Sequence, residues 1–84
     1  MAVTLQDIKE YKSRRNRIAL LSALADMDPM IREAAVIALI ELADSRDADA
    51  VKKYLMLESN KHICRKALHV VQLTKIYDDS DFIE

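Results

Sequence analysis

The chain contains no glycine, and its single proline is Pro29. Glycine adopts positive φ angles at little cost, so most β-hairpin turns, phosphate-binding loops and dinucleotide-binding fingerprints depend on it. A chain without glycine therefore lacks the usual material for those structures. We expect its connections to be made from Asp, Ser and Asn and from the Asp28-Pro29 pair, which end one helix and start the next without a left-handed glycine.

Apolar residues recur at spacings of three and four along nearly the whole chain, and no segment alternates apolar and polar residues. This pattern is typical of helices that each bury one stripe. A chain of 84 residues is long enough for one domain only. The sequence therefore predicts a single all-α domain over residues 1–77, followed by an acidic, mobile tail over residues 78–84.

The first two helices are separated by a polar stretch. Thr4 and Asp7 have the form of a capping box, which predicts a first helix over about residues 4–13. The polar residues 13–16 predict a bend or a short break before a second helix that carries Ile18, Leu21 and Leu24.

The start of the third helix is the sharpest boundary in the sequence. Asp28 can accept hydrogen bonds from free helix amides, and Pro29 fits the first helical position. This helix is predicted to run to about residue 43 and, because it is apolar almost all round, to pack on more than one side. A loop over residues 44–47, a fourth helix ending near residue 58, and a fifth that is capped by Ser59 or Asn60 and ends near residue 77 complete the prediction.

The formal net charge is −1, from 13 basic and 14 acidic side chains. A surface built wholly for nucleic acid or for an anionic membrane would carry a large positive excess. The charges are nonetheless arranged in blocks of +3 over residues 1–25, −5 over 26–50, +5 over 51–77 and −4 over 78–84. Such blocks indicate either complementary surfaces or alternating solvated faces.

Cysteine usage and hydropathy bear on the compartment. The lone Cys64 forms no internal disulfide, and the first thirty residues lack the features of a secretory leader. No apolar run approaches the roughly 20 residues that a membrane-spanning helix needs. We therefore expect a cytoplasmic protein without membrane contact.

The chain repeats itself with an offset of 33 residues. This offset superposes Leu24 on Leu57, Arg32 on Arg65 and Ala34 on Ala67, along with several apolar positions. A helix pair that recurs every 30 to 40 residues is the sequence signature of an α-solenoid. The repeat therefore predicts a short α-α solenoid of about two helix pairs preceded by an N-terminal helix.

The stretch ALADMDPMIREAAVIALIELAD resembles the HEAT repeat, particularly the short variety of the phycobilin lyase-like group. In that family an Asp closes the first helix, an Asp-Pro pair opens the second, and an apolar residue, an Arg and small residues follow. The second copy, over about residues 50–73, is degenerate and has the character of a capping repeat. The positions that match the family pattern are Asp26, Asp28, Pro29, Ile31, Arg32, Ala34 and Ala35.

The resemblance also implies a structural role for the two repeat arginines. In HEAT repeats the equivalent Arg commonly reaches an Asp at a neighbouring turn and ties the stack together. We therefore expect Arg32 and Arg65 to be structural, with Asp26 or Asp28 as the partner of one of them.

The residues that usually carry chemistry do not converge. His62 and His69 lie seven residues apart, and Cys64 projects roughly opposite to them on a helix, so the sequence predicts neither a metal site nor a nucleophilic site. Cys64 matches the core position Ile31 in the other repeat copy and is expected to be buried packing. The resulting expectation is a protein without enzymatic activity, without cofactor and without small-molecule substrate.

The surface carries the functional expectation. By the repeat correspondence, an apolar stripe rimmed by Arg, Lys and His lines the concave groove typical of a HEAT stack and would bind a protein as a scaffold or adaptor, through this face or an end face. Alternatively, the first helix or a second subunit covers that stripe. The residues assigned to it are Arg32, Val36, Ile40, His62, Arg65, Lys66, His69 and Leu73.

Three further hypotheses remain open from the sequence. Two and a half repeats are few for a stable solenoid, which favours self-association. The acidic tail is a second possible occupant, with Phe82 and Ile83 docking into the basic groove of the same or a neighbouring chain. A nucleic-acid-binding function is the alternative to protein binding. The basic residues assigned to that alternative are Lys9, Lys12, Arg14, Arg15, Arg17 and Lys61.

Overall fold

The computed structural model describes residues 3–74, and side-chain surroundings for residues 3–71. Within that part of the chain every regular element is helical, which confirms the all-α prediction. The predicted end of the last helix near residue 77 and the acidic tail 78–84 lie outside the described residues. The elements are α1 (Leu5–Ser13), α2 (Arg17–Ala23), α3 (Pro29–Leu42), a 3-10 turn (Ser45–Asp47), α4 (Ala48–Leu57) and α5 (Lys61–Thr74).

Side-chain caps set the starts of α1 and α3 where the sequence predicts them. The Thr4 hydroxyl accepts a hydrogen bond from the Asp7 amide at 3.1 Å, and the Asp7 carboxylate accepts one from the Thr4 amide at 2.9 Å. The Asp28 carboxylate accepts from the Met30 amide at 2.9 Å, with Pro29 as the first helical residue. These bonds satisfy amides that a helix N-terminus leaves free.

Of the two caps offered for α5, Asn60 is the one used. Its side-chain oxygen accepts a hydrogen bond from the His62 amide at 3.0 Å. Asn16 performs the same function for α2 by accepting from the Ala19 amide at 3.2 Å. The polar stretch after α1 is therefore a true break between two helices and not a bend.

Two connections use left-handed backbone without glycine. Arg15, between α1 and α2, has a φ of 55°, and Ala43, at the end of α3, has a φ of 56°. The Cβ atom makes this conformation cost roughly 1–2 kcal/mol per residue. We expected Asp, Ser and Asn to make the connections, but at these two positions an arginine and an alanine take the conformation that glycine usually supplies.

Helix α3 is the centre of the molecule, since α1, α2, α4 and α5 all pack against it. At 100° per residue, its buried side chains span more than half of the helix circumference. The prediction that α3 packs on more than one side is therefore confirmed. The buried apolar residues of the described part are Ile8, Leu20, Ala23, Ile31, Ala35, Val36, Ala38, Leu39, Ile40, Val51, Ile63, Ala67 and Val71.

Helices α3 and α5 run side by side in the same direction. Arg32, near the start of α3, pairs with Glu58, which lies just before the start of α5. The next residue of α3, Glu33, pairs with Lys66 in the second turn of α5. Glu33 and Lys66 are 33 residues apart, the same offset that relates the two copies of the repeat.

Candidate protein-binding groove

An open groove of about 410 Å³ lies along the face of α3 that α1 and α5 flank. Its lining is mainly apolar and includes the half-buried Ala34 and Ile37 of α3. Leu5 of α1 and Met30 of α3 are the accessible apolar residues, with 43% and 61% of their surface exposed. Charged side chains line the groove as well, and we call them the groove rim: Lys9, Lys12, Glu33, Glu41 and Lys66.

Ion pairs organise most of the groove rim. The Lys12 ammonium lies 2.8 Å from the Glu41 carboxylate, and the Lys66 ammonium lies 3.0 Å from that of Glu33. Lys9 is exposed and has no ion-pair partner among residues 3–74. Three lysines against two glutamates leave the rim with one net positive charge, so the groove favours a ligand that is apolar with an acidic component.

Among the residues predicted for the binding stripe, those of α5 are accessible. His62, Arg65, Lys66 and His69 are all exposed. Lys66 lines the groove, and His62 lies beside it because its Nε2 atom is 3.4 Å from the Glu33 carboxylate. The side chain of Leu73 lies outside the described residues.

The two apolar residues of α3 predicted for the same stripe are in the core instead. Val36 and Ile40 are fully buried. The repeat correspondence placed both residues on an accessible stripe, whereas neighbours on several sides bury a wide arc of α3. The accessible arc of α3 holds Glu33, Ile37 and Glu41, which the sequence interpretation did not assign. The sequence does contain a pattern that could have identified this arc, namely two glutamates eight residues apart with an apolar residue midway between them.

Arg32 is structural, but its acidic partner is not the predicted one. Its Nε atom donates to the Glu58 carboxylate at 2.7 Å, and its Nη1 atom donates to the backbone carbonyls of Asp26 at 2.9 Å and Met27 at 3.0 Å. The carboxylates of Asp26 and Asp28 instead accept backbone amides within their own turn. One guanidinium therefore joins the turn before α3 to the turn before α5.

Glu58 is the acceptor at the centre of this network. Besides the bond from Arg32, it accepts hydrogen bonds from the Tyr54 hydroxyl and, at 3.1 Å, from the backbone amide of Asn60. The hydrogen bond from Arg32 is the main cause that lowers the pKa of Glu58 to about 2. Burial, together with the Glu58 carboxylate, raises the pKa of Tyr54 well above its usual range. Arg65, the repeat equivalent of Arg32, is exposed and makes no comparable bond within the described part.

The basic residues assigned to nucleic-acid binding divide into two groups. Arg17 donates from two nitrogens to the buried Asp47 carboxylate, each at 2.7 Å, and Lys12 is paired with Glu41, so both are engaged within the fold. The remaining four are exposed and come from α1, the connection after it, and the start of α5. These residues are Lys9, Arg14, Arg15 and Lys61.

The described residues show no arrangement for metal or thiol chemistry. Among residues 3–74, no three His, Cys, Asp or Glu side chains are grouped so that they could hold a metal ion. Cys64 is half-buried, not fully buried as its repeat match predicts, and its Sγ atom lies 3.6 Å from the Glu58 carbonyl oxygen and 3.8 Å from that of Leu55. Burial raises the pKa of this thiol, which keeps it in the poorly nucleophilic protonated form. None of the described helices has the length and apolar character needed to cross a bilayer.

Comparison of the chain with known protein families, with curated proteins and with solved structures finds no match. The groove and its rim are therefore the basis for assigning a function.

Proposed function

We propose that the protein is a short HEAT-like helical module that binds another protein through the groove between α1, α3 and α5. The observation that carries this proposal is an apolar groove left open in a small domain, with accessible Leu5 and Met30 and a charged rim. An exposed apolar surface bordered by polar residues is characteristic of protein interaction sites.

Several contacts support the HEAT-like part of the proposal. Helices α3 and α5 occupy equivalent places in the two repeat copies and run side by side in the same direction. The Lys66–Glu33 ion pair joins a residue to its own repeat equivalent, as expected when successive repeat units stack with little rotation. The bond between Arg32 and Glu58 adds a second link between the units.

The shape and chemistry of the groove define the partner class. A groove of this volume, running beside one helix, accommodates an apolar peptide segment rather than a large flat surface. The rim lysines then select partners with acidic residues beside that apolar segment. The protein acts in this proposal as an adaptor or scaffold with no catalytic step of its own.

Two methionines provide a matched experiment. Met30 lines the groove and is 61% exposed, whereas Met56 lies on α4 outside the groove and is 84% exposed. The bait is the full chain with a photo-crosslinking residue at position 5, since Leu5 also lines the groove and is exposed, and crosslinked partners are identified by mass spectrometry. Crosslinks from position 5 that are lost when the bait also carries Met30→Glu, and retained when it carries Met56→Glu, support the groove. A partner that Met56→Glu loses and Met30→Glu keeps would contradict it.

The nucleic-acid alternative is tested in the same preparation. Of its six basic residues, Lys12 and Arg17 are engaged in ion pairs within the fold, which weakens that proposal. Binding that survives nuclease treatment supports a protein partner. Binding of a DNA or RNA probe that falls steeply with salt, through Lys9, Arg14 and Arg15, would support the alternative.

A second copy of the chain is a further candidate partner, favoured by a separate set of exposed apolar side chains. Met27 and Leu57 are 94% and 86% exposed and lie in the turn before α3 and at the end of α4. Burial of these side chains in a dimer would add stability to an 84-residue chain, whose small core supplies little. Light scattering that shows a dimer at micromolar concentration, converted to monomer by Leu57→Glu, supports self-association; a monomer throughout contradicts it.

A further inference from the structure

The end of α5 and the Glu41 end of the groove lie at the same end of the α3–α5 pair. Glu33 and Lys66 are in contact on two helices that run in the same direction. Eight residues further along, α3 reaches Glu41 and α5 reaches Thr74, so these two residues lie at the same end of the helix pair. The ion pair between Lys12 and Glu41 marks that end of the groove. The chain therefore leaves α5 at the end of the helix pair where Glu41 closes the groove.

The remaining chain is long enough to follow the groove. Ten residues follow Thr74, and they can span at most about 33 Å. The groove extends along α3 from Met30 to Glu41, which is about 16 Å at 1.5 Å per residue. Residues 78–84 can therefore reach any part of the groove in their own chain.

The last seven residues, DDSDFIE, match the groove in chemistry. They carry four acidic side chains and no basic one, and they place Phe82 and Ile83 next to each other. The groove offers an apolar floor and a rim with net positive charge, on which Lys9 has no ion-pair partner among the described residues. Opposite charge and adjacent apolar side chains are the two properties that the groove selects.

We propose that residues 78–84 dock in the groove of their own chain, with Phe82 and Ile83 on the apolar floor and the acidic side chains near Lys9 and Lys66. This inference rests on the groove assigned under the proposed function and adds a form of regulation to it. A partner protein has to displace the segment, so the segment acts as an internal competitor. Because the competitor belongs to the same chain, its effective concentration does not depend on protein concentration.

The chain contains a single phenylalanine, Phe82, which permits a direct test. Full-length protein grown with 4-fluorophenylalanine gives one ¹⁹F resonance that reports on this segment alone. We expect its chemical shift to differ from that of a free DDSDFIE peptide and its relaxation to match the folded domain. The shift should be unchanged on hundredfold dilution, since docking takes place within one chain.

Charge-reversal variants locate the docking site. Lys9→Glu/Lys66→Glu reverses two groove rim charges and is expected to move the resonance to the free-peptide position. Lys53→Glu/Lys61→Glu makes the same charge change at two exposed lysines outside the groove and should leave the resonance in place. Circular dichroism checks that both variants fold. As a measurement that needs no variant, 0.5 M NaCl should shift the wild-type resonance toward the free-peptide value.

Three results would overturn the inference. These are a wild-type resonance identical to that of the free peptide, a resonance that the groove-rim variant leaves unchanged, or a shift that disappears on dilution, which would indicate docking between copies. The outcome is separate from that of the proposed function. If residues 78–84 are free and a partner binds in a Met30-dependent way, only this inference is contradicted. If residues 78–84 are docked and no partner binds, only the proposed function is contradicted.

Discussion

Removing the carboxylate at position 58 should make the free energy of unfolding less dependent on pH in the acidic range. Glu58 is 5% exposed as a side chain and accepts hydrogen bonds from Arg32, Tyr54 and Asn60. Glu58→Gln retains the shape and one acceptor oxygen. Its amide group, however, cannot accept the bonds that both carboxylate oxygens receive, so a buried donor loses its partner.

The lowered pKa of Glu58 gives the size of its contribution to the free energy of unfolding. It lies at about 2 in the folded protein against an ordinary value of 4.5. At 1.36 kcal/mol per pH unit, this difference corresponds to about 3 kcal/mol of stabilisation. Because the folded-state pKa is lowered, the contribution is fully present above about pH 4.5 and is lost as the pH falls toward 2. Arg32 stays partly exposed to solvent, so we expect the measured effect to be nearer 2 kcal/mol.

Urea denaturation followed by circular dichroism at pH 6, 4, 3 and 2 measures this effect. The free energy of unfolding of wild type should exceed that of Glu58→Gln by about 2 kcal/mol at pH 6, and the difference should shrink steadily below pH 4.5. Glu10→Gln, at an exposed carboxylate on α1, is the control and should follow wild type at every pH. A constant difference between wild type and Glu58→Gln from pH 6 to pH 2 would refute the reasoning.

Three other substitutions test the packing and the helix ends by urea denaturation at pH 7. Ile40→Ala removes a fully buried side chain and should lower the free energy of unfolding by about 2–5 kcal/mol; a loss below 0.5 kcal/mol, as expected at the exposed Met56, would place Ile40 on the surface after all. Asp28→Ala deletes the cap of α3 and should cost about 1 kcal/mol, whereas Asp28→Asn should cost much less. Ala43→Gly relieves the positive φ at the end of α3 and should raise the free energy of unfolding by about 0.5–1 kcal/mol; a lower free energy of unfolding would contradict the left-handed assignment.

Features that depend on neighbouring residues could be predicted from the sequence. The caps at Thr4, Asp28 and Asn60 follow from hydrogen bonds between residues two or three positions apart, so the starts of α1, α3 and α5 were predictable. The burial of α3 on several sides followed likewise from its composition, which is apolar almost all round.

The features that could not be predicted depend on how distant segments approach each other. Arg32 pairs with Glu58, 26 residues away, because the turn before α5 comes next to α3, and no local pattern encodes that approach. The groove has the same origin. Whether Ile37 or Ile40 faces solvent depends on which arc of α3 the neighbouring helices leave uncovered, and both residues are equally apolar.

The central position of α3 has a consequence for how the molecule opens. In a long solenoid each unit contacts only its neighbours, so an end unit can unfold while the rest persists. Here each of the other four described helices packs on α3, and Arg32 holds the turns at the starts of α3 and α5 together. Neither repeat copy can separate without exposing the side chains of α3. The amides in the middle of α3 should therefore exchange with solvent only when the entire chain unfolds, and their exchange rates measure the global stability of the protein directly.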